Sequence, residues 1–167
     1  MTTSLLFPRL ESSVEPTLAP ILARVHDRWM AEADIALGPV TDPQATFFQR
    51  WTAVRYLWDQ FAQRTMLERG LLQQLHPFIP VEVRERLAMQ IDRVDRLQEV
   101  MDRLAHQRGV ARELAHTAEA LLEALRLWYA EIEFAAGDIR QNDMGPDVHQ
   151  LLERLNGRSW FEACCIH

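Results

Sequence analysis

The stretch VEVRERLAMQIDRVDRLQEVMDRLAHQ, residues 81–107, decides the fold class. Leu87, Ile91, Val94, Leu97, Met101 and Leu104 recur in steps of three and four, the near-heptad spacing of a helix packed along one seam. The outer side carries Glu82/Arg86, Asp92/Arg96 and Glu99/Arg103, each acid four residues ahead of its Arg, the order that favours exposed ion pairs on a helix. This spacing predicts a long amphipathic helix with one side on a core and the other in water.

Gly and Pro divide the flanking sequence into similar blocks. A first helix is expected from about residue 16 to 37, with Leu18, Leu22, Val25, Trp29, Ala33 and Ala36 on one stripe and Gly38-Pro39 as its stop. A second is expected to start at Thr41 or Asp42 as N-cap, with Pro43 early in the helix and Gln44 reaching back to Thr41. It runs to about Leu75, before the turn His76-Pro77-Phe78-Ile79-Pro80. Beyond Arg108-Gly109 a further helix extends to about Ala136, carrying Leu114, Ala118, Leu121, Leu125, Trp128 and Ile132 on one stripe, with Gly137 at its end. A polar loop, a short helix over residues 146–155 and an apolar tail, Arg158 to His167, follow. No sustained period-two stretch, hairpin dipeptide or fixed-period repeat is present.

The expected architecture is therefore all-α: an antiparallel four-helix bundle over residues 16–136, preceded by an irregular arm over 1–15. The segment 137–167 (loop, short fifth helix and apolar C-terminal tail) is expected to pack on the same domain. Long amphipathic helices with short connections make up-down-up-down neighbours.

Composition agrees and prunes the chemistry. With 167 residues, 48% hydrophobic and net charge −6, the chain can bury one core and is not disordered. All 18 basic residues are Arg, which reads as the codon bias of a GC-rich bacterial genome and removes lysine Schiff-base and phosphate-loop mechanisms. No apolar run approaches the roughly 18 residues of a membrane span, and the N-terminus lacks a basic, then apolar, leader. A cytoplasmic location is the expectation. Residues 50–112 hold 11 Arg against 8 acids, and residues 113–167 hold 4 Arg against 10. The Arg residues alternate with acids rather than forming a basic stripe, so nucleic acid is not an expected partner.

Three sets of residues invite a chemical reading. Glu113-Leu-Ala-His116 has the spacing of a bundle di-metal ligand pair, but the second copy that such a centre needs is missing, and both residues share a polar face with Glu119 and Glu123. His26 lies at the edge of the first helix's apolar stripe beside Leu22, Trp29 and Met30. Such an imidazole could ligate heme iron or another metal, act as a base, or hydrogen-bond a backbone carbonyl. With Trp29 and the aromatics of the second helix, Trp51, Tyr56 and Trp58, it forms a candidate pocket for a planar cofactor, although the same rings also read as plain core. The second helix holds six of the fourteen aromatics within residues 47–61, on more than one face.

The third set is the tail, where Cys164, Cys165 and His167 could chelate a soft ion such as Cu(I) or As(III), or dock as a small apolar segment on the bundle or a partner subunit. The remaining histidines, His76, His106 and His149, read as surface residues, and no phosphate loop, nucleophile elbow or spaced Cys quartet is present. No particular cofactor is specified. The expected function is that of a non-catalytic helical interaction module, an adaptor, chaperone-like or regulatory subunit that engages a protein partner or its own copy. The alternative is a cofactor- or metal-binding bundle built on His26 or on the Cys tail.

Overall fold

A computed structural model describes residues 17–140 and 143–156. Their element order is α1 (Ala19–Ala36), α2 (Gly38–Thr41), α3 (Phe47–Leu75), a 3-10 turn (His76–Phe78), α4 (Val81–Ala105), α5 (Ala111–Ala135) and α6 (Pro146–Asn156). Among the described residues the only extended pairing is an isolated antiparallel bridge between Thr17 and Arg140, backed by Leu18 N–H donating to Ile139 O at 3.0 Å. The fold is all-α.

Neighbouring long helices run antiparallel. Along α1 and α3, His26 meets Glu68 while Glu32 meets Arg64; along α3 and α4, Arg55 meets Asp102 while Arg69 meets Asp95. Between α1 and α5, Leu18 meets Ile139 while His26 meets Glu133. The hairpin of α4 on α5 closes the bundle, turning at Gly109, whose φ of +79° is a left-handed conformation open to glycine at little cost. The α6 helix lies on α3, where Leu151 packs against Gly70.

The core is the set of seams laid face to face. The whole α5 stripe is buried, with Ala118, Leu121 and Ile132 fully so and Leu114, Leu125 and Trp128 nearly so. On α4, Leu87, Val94 and Met101 are buried while Ile91, Leu97 and Leu104 pack on the core's margin. Of the exposed i,i+4 pairs expected on α4, Asp92–Arg96 forms at 2.6 Å, whereas Arg86 turns instead to Glu131 on α5 at 3.2 Å. The Arg86 Nε–H is shared by both oxygens of the Glu131 carboxylate, a charge-assisted contact that competes with the flexible partner on its own helix.

Two boundaries differ from the expectation. Gly38-Pro39 ends α1 but starts one more helical turn, α2, because proline at an early helical position lacks only an N–H that would be unpaired there anyway. The long α3 starts four to five residues later than expected, its N-cap being Thr46 rather than Thr41 or Asp42. Thr46, in extended conformation, accepts from Gln49 N–H at 3.2 Å, and the Gln49 side chain accepts from Thr46 N–H at 2.8 Å, a complete capping box. Asp42 instead accepts from Gln44 N–H at 2.8 Å, closing a turn around Pro43.

Candidate functional site

The α3 seam runs Val54, Leu57, Phe61, Arg64, Glu68, Leu71 and Leu75, all buried, in unbroken steps of three and four. Two of those seven seam positions carry charge. A charge placed on a buried seam must find partners there, and the facing helices provide them. From α1 come His26 and Glu32, and from α5 come Tyr129 and Glu133, so that a polar layer crosses the bundle where α1, α3 and α5 meet.

His26 is its centre and is only 2% exposed. Its Nε2 lies 2.7 Å from Glu68 Oε1, and its Nδ1 lies 2.9 Å from Glu133 Oε1. A neutral imidazole has one N–H and one lone pair, so it can satisfy only one of two carboxylates. Two carboxylate neighbours require both nitrogens to donate. Burial works against the charged ring, but the hydrogen bonds to Glu133 and Glu68 and the charges of both outweigh it and lift the His26 pKa to about 9. His26 is therefore an imidazolium at neutral pH. Tyr129 lies flat on it, with ring centroids 4.2 Å apart and planes 6° from parallel, a cation on an aromatic face.

One turn along, Arg64 donates to Glu32 Oε2 at 2.9 Å and lies over the Trp29 ring at 4.2 Å. Burial lowers the Arg64 pKa to about 9, with the Glu32 carboxylate supporting its charge, so it too is a cation at neutral pH. The same burial pushes the Tyr129 phenol above its ordinary range. Two cations and the three carboxylates Glu32, Glu68 and Glu133 thus share the layer. Glu133 is 31% exposed and reaches water, but Glu68 is fully buried, and its Oε2 has no hydrogen-bond partner among the described residues.

In this arrangement His26 presents no lone pair to a metal or to a proton donor, since carboxylates occupy both sides of the ring. Among the described residues, no group of three or more His, Cys, Asp and Glu side chains is placed to hold a metal ion. Of the aromatics expected around His26, only Trp29 is there, with ring centroids 6.0 Å apart. Tyr56 is partly buried and packs against the core on the same helix as Arg64. Trp51 stacks on Phe48 and meets the edge of His106 near the α4 end, and Trp58 lines a groove between α3 and α4. An aromatic run on several faces of one helix cannot form a single wall. Glu113 and His116 are exposed. Cys164, Cys165 and His167 lie outside the described residues.

The fold and site define an antiparallel helical bundle with a buried charged layer across three of its helices. Beyond that class the comparisons add nothing, since no family model, no curated protein and no solved structure matches the chain. No helix among the described residues is long and apolar enough to cross a membrane.

Proposed function

We propose that this chain is a non-catalytic helical interaction module that receives an amphipathic helix of a partner protein on the outer face of the α4–α5 hairpin. The observation that carries this reading is a second apolar stripe on α5. Leu127, Ala130 and Phe134 follow one another in steps of three and four and are all exposed, Phe134 at 68%. They border a groove with Arg86, Gln90 and Glu131, and the Arg86 guanidinium lies 5.6 Å from the Phe134 ring centre. Scattered apolar residues on a surface need no explanation, but a stripe at heptad spacing is what a helix–helix interface is made of. Residues 111–135 hold five Glu against two Arg, so the partner helix is expected to carry basic residues beside its apolar face.

The cofactor reading of His26 gains no support from a ring hydrogen-bonded to carboxylates on both sides. The test is a photo-crosslinking residue in place of Ala130 in cells, followed by identification of the crosslinked peptide. That peptide, made synthetically, should bind the purified wild type and bind Leu127→Glu/Phe134→Glu at least tenfold more weakly, with unchanged melting of the variant. Crosslinks absent at this position, or equal binding by the variant, would reject the interface.

A further inference from the structure

A different part of the bundle carries a cavity of about 300 Å³ where the end of α3, the turn after it, and α4 and α5 meet. Its walls are Leu72, Ile79, Leu87 and Ile91, and the Trp128 ring lines it as well. Ile79 and Leu87 are 5% exposed and Trp128 is 1% exposed and form its buried part, while Arg69, Gln73, His76 and Ala88 are exposed at its rim, so the pocket opens to solvent. A volume near the lower bound of ordinary ligand pockets, about 300 Å³, suits a small molecule and not a long lipid chain.

Two of the residues that line this apolar space carry a buried donor without an acceptor. Trp128 Nε1 and Arg84 Nε are both buried and have no hydrogen-bond partner among the described residues. The remaining cationic side chain at the rim, Arg69, is matched by Asp95 at 2.6 Å. Arg84 is not matched in this way: its Nη1 donates to the imidazole of His76, which accepts through a ring lone pair and brings no negative charge. Among the described residues Arg84 has no carboxylate within ion-pair distance. A buried donor left unpaired costs about 1–3 kcal/mol, more when it is charged, so a ligand that brings an acceptor recovers that cost.

We infer that this cavity binds a small carboxylate with an apolar body, such as a short fatty acid or an aryl-acetic acid, its carboxylate at Arg84 and its apolar part against Leu72, Leu87, Ile91 and Trp128. One uncompensated cation and one neutral N–H match a monoanion. A phosphate monoester carries close to two charges and would find a single free cation among apolar walls. The site is separate from the α5 stripe proposed for the partner helix, and neither depends on the other.

The test is calorimetric titration of the full chain with sodium octanoate and with phenylacetate, octanol serving as the uncharged homologue. Both carboxylates should bind, octanol about tenfold more weakly than octanoate or worse. Arg84→Met should weaken octanoate by about tenfold, the loss of one charge-assisted hydrogen bond, while leaving octanol unchanged. Ala88→Trp, at an exposed position on the cavity wall, should block all three ligands, and Arg96→Gln, in an exposed pair elsewhere on α4, should alter none. Melting curves confirm that each variant is folded. No binding of either carboxylate at millimolar concentration, equal affinity for octanoate and octanol, or octanoate binding insensitive to both Arg84→Met and Ala88→Trp would overturn the inference.

Discussion

Nε2 of His26 donates to Oε1 of Glu68 across 2.7 Å, in a place where both side chains are removed from water. Since Glu133 takes the other ring N–H at 2.9 Å, the imidazole is clamped between helices α3 and α5 while its own backbone belongs to α1. Three helices are thereby fixed in rotation by one side chain. A half-turn slip of any of them would leave a buried charge unpaired, at a cost that hydrophobic packing alone does not impose.

The first consequence is a dependence of stability on pH. The imidazole titrates near 6.5 when unfolded and near 9 when folded. The folded protein therefore binds the proton more tightly, and the stabilisation is fully present below pH 6.5 and lost as the pH rises toward 9. The difference corresponds to about 3 kcal/mol, at 1.36 kcal/mol per pKa unit, for a side chain this buried. Urea unfolding of the wild type and of His26→Leu at about pH 6 and about pH 9.5 isolates the effect, because the two proteins differ only at this side chain. The wild type should lose about 3 kcal/mol more than the variant over that range; parallel profiles would mean that His26 is not charged in the fold.

The second concerns coupling. Glu68→Ala removes one carboxylate from a cation that stays buried, and His26→Leu strands the fully buried Glu68; each should destabilise by about 3–5 kcal/mol. The double change His26→Leu/Glu68→Leu removes both charges and leaves only Glu133, which is exposed enough to be hydrated. Its cost should fall well short of the sum of the single changes. A double-mutant cycle by chemical denaturation gives the coupling energy, and strict additivity would show that the two groups do not interact.

How the sequence could be read follows from the same residues. Apolar periodicity places Leu87, Val94, Leu121 and Trp128 in the core without further information, because burial of such side chains is non-directional and needs only the right stripe. All-α architecture and the four long helices follow from that, whereas the extra turn α2 does not. The polar layer was legible in half. His26 was visible at the edge of its stripe, and Arg64 and Glu68 interrupt a regular seam of apolar residues, a signal that counting in steps of three and four along α3 would have found. Glu133 and Tyr129 carry no such mark, since their roles depend on which face of α5 turns toward α1. The grouping of Trp51 and Trp58 with His26 failed to form for the same reason: neighbours in sequence on a helix point to different sides.

The start of α3 gives a third measurement. Thr46 caps it, with Gln49 completing the box, whereas Thr41 lies at the end of α2 and its hydroxyl donates to Gly38 O at 3.2 Å on the surface. Thr46→Ala should cost about 1 kcal/mol, and Thr41→Ala should stay within about 0.5 kcal/mol of the wild type. Denaturation midpoints at constant slope distinguish the two. A larger loss at Thr41 than at Thr46 would place the helix start back at residues 41–44.

The seams themselves are tested by charge. Val94 on α4 and Leu121 on α5 are both fully buried in apolar seams, and Asp at either position puts a carboxylate out of reach of water. The cost of burying an unpaired charge, several kcal/mol, is comparable with the whole stability of a domain of this size, about 5–15 kcal/mol. Val94→Asp and Leu121→Asp should each abolish the cooperative thermal transition seen by circular dichroism. Leu127→Glu adds the same charge one residue before Trp128, on the exposed stripe at 39% exposure, and should leave the transition intact. Two residues on one helix, six apart, thus give opposite outcomes for one kind of substitution because a helix turns 100° per residue. Equal tolerance at Leu121 and Leu127 would mean that the buried face of α5 is assigned to the wrong side.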